Sequence, residues 1–262
     1  PAQNSMGRIA VSLASEFNRQ HTLGMDLAGA AGLDYFAISS PQSASSNANS
    51  GTATISVSFD AASIGSLTTD DYVLGFNGAA WSLSRVSDNQ AVAMTGSGSA
   101  ADPFIVDGLS IEIAGGAAAG DRFQIRPTRS GSSDMDLLIA NPREIAAAAT
   151  AAAAAPGDNS NALLLAGLQS GQTMENSTTN FQGAYGQLIG KLGVQTRSAQ
   201  ITAEAQGALL LQAQASRDNL SGVNLDEEAA DLIRFQQAYQ AITQVISVAD
   251  TTFQTLLSAM GR

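Results

Sequence analysis

The chain has one histidine and no cysteine, which excludes disulfides and thiolate metal sites. With His21 alone, a His-pair metal site and a two-histidine proton relay are excluded. A Ser-His-Asp triad remains formally possible because serines and aspartates are abundant, but no G-x-S-x-G elbow accompanies them. We therefore predict no catalytic residue and no metal ligand, and we expect His21 to cap the first helix or to pack against its loop.

Two glycine-containing stretches resemble phosphate-binding motifs without their context. GSGSAA, residues 96–101, matches a dinucleotide fingerprint, yet Asp102 and Pro103 follow it where a helix should open. Lys191 follows a glycine as in a phosphate loop, but Leu192 occupies the position of the magnesium-binding Ser or Thr. The sequence predicts a turn and a helix at these places, and no cofactor.

Several aromatic and acidic residues in the middle of the chain leave carbohydrate binding or glycan chemistry open as a function. No spaced carboxylate pair can be assigned for glycoside hydrolysis, and no acidic run has the spacing of a calcium loop. A secreted carbohydrate-binding or glycan-active protein is nevertheless an alternative, to be tested with residues 53–128. The residues that would line its site are Trp81, Tyr72, Asp70, Asp71 and Asp107.

The overall charge restricts the partners. The 262 residues carry a formal net charge of −11, and only 13% of them are charged. Such an acidic chain is a poor partner for nucleic acid or for an anionic membrane surface. The longest weakly apolar run, residues 145–155, is too short to span a bilayer, so we predict no membrane insertion. The first residues do not resemble a cleaved signal peptide.

Helical and strand-like patterns alternate along the chain. Met6, Ile9, Leu13 and Phe17 are spaced 3, 4 and 4 residues apart and predict a helix over 6–20. The composition of 41–51 is typical of a linker. From 53 to about 127, alternating residues and turns such as Asn77-Gly78 predict a small all-β module.

The pattern then becomes helical again. An alanine-rich run predicts a helix from about Pro142 to residue 155, and a short helix is expected over 161–168. A longer helix should begin at Phe181 and continue to about Ser216, with a break over 219–224.

The final helix, from Leu225 to Met260, has the most regular pattern. Its first turn is acidic, and an unbroken 3,4 repeat of mostly apolar residues then predicts coiled-coil packing. Gln, Ser and Thr stand where a coiled coil usually carries charges, so most of this surface is suited to burial. The core helix of an ordinary bundle and a tail that inserts into membranes are the other readings, and the second is testable with liposomes. The residues of this seam are Leu232, Phe235, Tyr239, Ile242, Ile246, Ala249, Phe253, Leu256 and Met260.

These elements predict an α+β multidomain chain in which a discontinuous long-helix bundle or coiled-coil domain holds an inserted small all-β domain. We expect helical segments at 1–52 and 129–220, the β domain at 53–128, and the terminal heptad helix at 221–262.

One long stretch resembles a known family. SGVNLDEEAADLIRFQQAYQAITQVISVADTTFQTLL, residues 221–257, resembles the C-terminal signature of bacterial flagellar axial proteins, which form the rod, hook and hook-associated structures. FNRQHTLGMDLAGAAGLDYF (17–36) and PGDNSNALLLAGLQ (156–169) are similar to hook-associated members. The resemblance implies a non-enzymatic structural subunit at the hook-filament junction.

The same resemblance implies partners and a location. Members are exported through the flagellar type III apparatus without a cleaved signal peptide, and they assemble outside the cell. The implied partners are further copies of the chain, the hook protein, the second junction protein, and an export chaperone on the C-terminal helix. In the family that helix pairs with an N-terminal helix that this sequence lacks, so we expect the chain to be a fragment.

Overall fold

The computed structural model describes residues 2–149, 157–221 and 225–261. It contains four α-helices and ten strands in these ranges, arranged as helix, strands, helices. The chain divides into two compact units, residues 1–195 and 196–262. The predicted fold class, α+β with an inserted β module and long C-terminal helices, is confirmed.

Helix α1 (Ala2–His21) confirms the first predicted helix, but it is covered on more sides than one apolar stripe requires. Val11 belongs to the core of the β module, whereas Ile9 packs in a second cluster with Met174 and Leu188. Met6, predicted to be on the buried face, is 37% exposed. Contact with two different cores explains why the 3,4,4 spacing identified the helix but not its whole buried surface.

A close backbone approach fixes α1 against the segment that follows the last strand of the module. A Cβ placed on Gly7 would lie 1.7 Å from the carbonyl oxygen of Thr128, and one on Gly131 would lie 2.7 Å from the oxygen of Gly7. Only glycine permits these two backbones to touch.

The predicted linker over 41–51 is wrong in its first part. Strand β1 (Phe36–Ala37) is followed by β2 (Gln42–Ser45), which pairs antiparallel with β9 (Arg122–Arg126). All four β2 side chains are exposed, so polar composition resembled a linker although the backbone is hydrogen-bonded in a sheet.

The β module consists of two antiparallel sheets over one core. The strands not yet named are β3 (Thr54–Phe59), β4 (Tyr72–Phe76), β5 (Trp81–Arg85), β6 (Ala91–Val92), β7 (Phe104–Val106), β8 (Leu109–Ala114) and β10 (Asp136–Leu137), which pairs with β1. The five-stranded sheet has the order β2-β9-β4-β5-β6, and the three-stranded sheet has the order β3-β8-β7. The alternation predicted for β3 is confirmed, since Val57 is buried and Ser56 and Ser58 are exposed.

The predicted alanine helix is wrong for residues 145–149. Pro142–Glu144 forms a single 3-10 turn capped by Asn141, and the chain then extends so that Ala148 bridges Met25. The high helix propensity of alanine is overridden here by backbone pairing with the loop after α1. The rest of that prediction, residues 150–155, lies outside the described residues.

The later helices agree with their patterns. Helix α2 (Ser160–Gly167) and helix α3 (Phe181–Ser221) confirm the elements expected at 161–168 and from Phe181. The predicted end of this helix near Ser216 and the break predicted from 219 are wrong as far as Ser221, because α3 continues to that residue. The rest of the predicted break, 222–224, lies outside the described residues. Helix α4 (Leu225–Met260) begins at the predicted residue.

A candidate assembly surface on the last helix

All nine residues of the predicted seam lie on α4, and all are exposed. No described residue of this helix is buried. At 1.5 Å per residue, the seam from Leu232 to Met260 is about 42 Å long. The large side chains on it are 57% to 82% exposed, from Ile242 and Leu256 to Met260. An exposed apolar strip of this length is typical of a protein contact surface.

Charge is concentrated at the start of α4. Asp226, Glu227 and Glu228 occupy the first turn, where the helix dipole favours negative charge. Asp231 and Arg234 form the last ion pair before the apolar part, with a separation of 3.6 Å. From residue 235 to 261 the only formally charged side chain is that of Asp250. Covering this part therefore requires the desolvation of very little charge.

Five of the seven hydroxyl groups on α4, those of its four threonines and of Ser258, are already hydrogen-bonded within the helix. Thr243 donates to the carbonyl of Gln240 at 2.8 Å, Thr252 to that of Val248 at 2.7 Å, and Thr255 to that of Thr251 at 2.7 Å. Thr251 and Ser258 make the same kind of bond. Burying these side chains leaves no hydroxyl donor without an acceptor, so the usual cost of burying polar groups is reduced.

The hydrogen bonds of these hydroxyl groups were not predicted from the sequence, although the low charge of the Gln, Ser and Thr positions was. The signal was available, because Thr and Ser side chains in a helix bond the carbonyl three or four residues earlier. The same arrangement occurs on α3, where Thr202 donates to the carbonyl of Ser198.

His21 packs as expected and offers no free nitrogen for catalysis. Its side chain is fully buried at the end of α1. Nδ1 lies 2.6 Å from the carbonyl oxygen of Leu33, and Nε2 lies 2.9 Å from the backbone nitrogen of Ala146. These partners assign the proton to Nδ1, which donates to Leu33, while Nε2 accepts from Ala146. Because both ring nitrogens are hydrogen-bonded to the backbone, His21 cannot act as the base of a Ser-His-Asp triad.

The two phosphate-loop resemblances also have the predicted structures. Residues 96–101 form a turn in which Gly96 and Gly98 have positive φ angles. Lys191 lies inside α3. Among the described residues, no cluster of three metal-ligating side chains exists, and no helix is long and apolar enough to cross a membrane.

The aromatic residues proposed for a carbohydrate site pack and form hydrogen bonds within the β module instead. Tyr72 is 1% exposed, and its hydroxyl donates to Asp107 at 2.7 Å. Burial raises the pKa of this phenol, and the nearby carboxylate of Asp107 acts in the same direction. Trp81 packs on the rings of Phe76 and Phe123, with centroids 5.0 and 5.9 Å away.

The acidic members of that set are engaged as well. Asp70 accepts a hydrogen bond from the hydroxyl of Ser87, and Asp71 accepts one from the side chain of Asn4. Because Tyr72 is buried, its ring is not available to a sugar. Nothing in the arrangement supports that alternative.

A strained turn that the sequence did not reveal joins α1, the β module and α3. Glu175, Asn176 and Ser177 all have positive φ angles, between 54° and 66°. Glu175 pairs with Arg8 of α1 at 3.0 Å, and the backbone nitrogen of Asn176 donates to the carbonyl of Gly65. These contacts hold three consecutive residues in a conformation that side chains normally avoid.

Three protein-family models match separate parts of the chain. The helical domain of the flagellar hook-associated protein FlgK matches residues 1–36, and the D2-like domain of flagellar hook-associated protein 1 matches 43–127. The C-terminal part of the flagellar basal body rod FlgEFG proteins matches 214–259, which includes most of α4.

Known proteins agree with these matches over nearly the whole chain. It is 32% identical to flagellar hook-associated protein 1 of Escherichia coli K12 and of Salmonella typhimurium LT2, over 98% of its length. It spans 46% of each of these relatives, about half their length. The solved flagellar hook junction protein FlgK from Burkholderia pseudomallei has the same fold, with a TM-score of 0.73 and 23% identity over 83% of this chain and 60% of that one.

Proposed function

Because the chain belongs to the family of flagellar hook-associated protein 1, we propose that it is a non-enzymatic structural subunit of the flagellum at the hook-filament junction. The observation that carries the proposal is the seam of α4, an apolar strip about 42 Å long that buries nothing within the described chain. In a helical polymer, this strip would pack against a helix of the same assembly.

The chemistry of α4 supports polymerisation more than binding of a small ligand. Large side chains such as Phe235, Tyr239 and Phe253 supply contact area, and their flanks are neutral with satisfied hydroxyls. Specific protein interfaces bury about 800 Å² per partner, and eight large exposed side chains are a sufficient source of that area. Neighbouring copies, the hook protein and the second junction protein are the proposed partners.

The proposed function also includes a route of export and a separate structural role for each part of the chain. We infer export through the flagellar type III apparatus to the outside of the cell, with a chaperone covering α4 before assembly. The helical segments 1–52 and 129–220 and the terminal helix 221–262 would form the wall of the assembly, and the β module at 53–128 would be displayed outside it. Strand β2 adds to the sheet of this module.

The test places one charge on the seam. A chimera is made in which residues 225–261 replace the corresponding segment of the Escherichia coli relative, and Ile246→Arg is introduced into it. We expect the parent chimera to form hook-filament junctions and support swimming. The Ile246→Arg form should be exported and yet form no junctions, because a buried unpaired guanidinium costs several kcal/mol. Junctions are counted by electron microscopy of isolated flagella.

The matched control is Gln244→Arg, which adds the same side chain about 200° around the helix. We expect it to retain junctions, which attributes the effect of Ile246→Arg to the seam. In the original chain, Trp81 fluorescence should be unchanged by either substitution, since the Trp81 ring packs on Phe76 and Phe123. Normal junctions in the Ile246→Arg chimera would refute the proposed role of α4.

A further inference from the structure

The tip of the hairpin between β4 and β5 holds an asparagine side chain in a polarising environment. Asn77 and Gly78 are both exposed. The Oδ1 atom of Asn77 accepts two hydrogen bonds from backbone N–H groups, from Ala79 at 2.9 Å and from Ala80 at 2.8 Å. Two donors that converge on one carbonyl oxygen form the arrangement that stabilises negative charge on an oxyanion.

The next residue offers an accessible nucleophile. Gly78 has φ +98°, carries no side chain, and its backbone nitrogen donates no hydrogen bond to any described residue. A Cβ at this position would lie 3.1 Å from Ala119, so glycine also fits the space. An unshielded amide nitrogen therefore follows directly after a polarised side-chain carbonyl.

We propose that Asn77 is a self-modification site at which the folded chain deamidates. The nitrogen of Gly78 attacks Cγ of Asn77 and loses its proton, the bond from Cγ to Nδ2 breaks, and ammonia leaves. The resulting five-membered succinimide is opened by one water molecule at either carbonyl, which gives aspartate or isoaspartate. The N–H groups of Ala79 and Ala80 stabilise the charge that develops on Oδ1 during the attack, and no oxidant or cofactor takes part.

A second asparagine provides an internal comparison. The side chain of Asn49 is held at both ends by the backbone of Arg122, since Nδ2 donates to the carbonyl at 2.9 Å and Oδ1 accepts from the N–H at 2.8 Å. Its leaving nitrogen is therefore anchored, whereas no described bond involves Nδ2 of Asn77. The structure assigns faster conversion to Asn77 than to Asn49.

The modification has a local consequence that can be measured. Each event adds one negative charge to the formal −11. The isoaspartate product also lengthens the backbone by one methylene beside the pair of Phe76 and Trp81, whose rings lie 5.0 Å apart. Trp81 is the only tryptophan of the chain, so its fluorescence reports on this end of the hairpin.

The test follows deamidation in the intact, folded chain at pH 8.5 and 37 °C. Mass spectrometry with peptide fragmentation measures conversion at Asn77 and Asn49 in native buffer and in concentrated guanidinium chloride. Asn49 is followed by Ser50 rather than by glycine, so the two rates are compared as a ratio in each state. We expect the ratio of the rate at Asn77 to the rate at Asn49 to be about tenfold larger in the folded chain than in the denatured chain, and conversion at Asn77 to be no slower when folded. Slower conversion of Asn77 when folded, or an equal ratio in the two states, would overturn the proposal.

Asn77→Asp separates the effect of charge from that of the isoaspartate backbone. This variant should leave the Trp81 emission of the fresh protein unchanged, whereas the aged wild-type chain should show altered emission in proportion to its isoaspartate content. Asn77→Ser has no side-chain carbonyl and cannot form a succinimide, so if ageing altered its emission as much as that of the wild type, modification at Asn77 would not be the cause.

Discussion

At the scale of single residues, the contact between Gly7 and Thr128 determines whether α1 can lie against the β module. A Cβ on Gly7 would meet a carbonyl oxygen at 1.7 Å, and a backbone atom cannot rotate away as a side chain can. We expect Gly7→Ala to destabilise the chain by about 1–3 kcal/mol, as overpacking of a tight contact does. Urea unfolding followed by circular dichroism and Trp81 fluorescence measures the change.

Gly190→Ala is the matched control for this substitution. Gly190 also lies inside a helix, but a Cβ there meets nothing within 4 Å. Alanine at this position should stabilise the helix by up to about 1 kcal/mol, because glycine is the poorer helix former. If both alanines changed stability equally and in the same direction, the close approach at Gly7 would not be the determining factor.

At the scale of elements, the buried carboxylate of Asp121 holds two loops together at one end of the five-stranded sheet. Backbone N–H groups of Ala118, Ser50 and Gly51 donate to it. The bond from Ala118, followed by those from Ser50 and Gly51, lowers the pKa of this carboxyl below its usual value. A folded-state pKa below the unfolded one means stability that is present above about pH 4 and is lost as the pH falls through the folded value.

Asp121→Asn tests that contribution. The amide keeps one acceptor oxygen and loses the charge, so the variant should be less stable than the wild type at pH 7. The difference should shrink as the pH falls from about 4 through the lowered folded-state pKa, where the wild-type carboxyl takes up a proton. Thermal unfolding at several pH values measures it, with the exposed Asp34→Asn as control. A difference that did not vary with pH would exclude a charged Asp121 as its source.

The elements also show how far sequence patterns extend. The 3,4 repeat of α4 and the alternation around Val57 predicted their elements correctly, because in both cases the local spacing of apolar residues matches the period of the element. Strand β2 and the extended segment 145–149 depend on partners distant in the sequence, at Arg122–Arg126 and Met25. Polar composition and alanine content contain no information about such partners. The strained turn at Glu175 could not be predicted for the same reason, since its contacts are also distant in the sequence.

The candidate assembly surface was likewise only partly predictable from the sequence. Its nine residues could be named from spacing alone, because a helix places residues three and four apart on one face. That surface stays a prediction about contacts, since α4 buries no side chain in the described chain. What the structure adds is the state of the hydroxyl groups around the seam, which depends on side-chain direction rather than on residue type.

At the scale of the whole molecule, stability should differ sharply between the module core and α4. Leu74, Leu109 and Ile125 are fully buried among the strands, whereas α4 depends on its own backbone hydrogen bonds. A helix without tertiary packing is only marginally stable in water. In the isolated chain, amides of 225–261 should therefore exchange within seconds to minutes, while those of β4, β8 and β9 should stay protected for far longer. Hydrogen exchange with mass spectrometry measures both.

The same measurement links stability to the proposed assembly. If the seam is covered by a partner helix, the amides of α4 gain protection in assembled junctions, and the gain should be largest around Tyr239 to Phe253, at the centre of the seam. The amides of β8, already protected in the isolated chain, serve as the internal reference and should not change. Strong protection of α4 in the isolated chain would instead show that its seam is covered before assembly begins, which would contradict the proposal that a partner helix covers it on assembly.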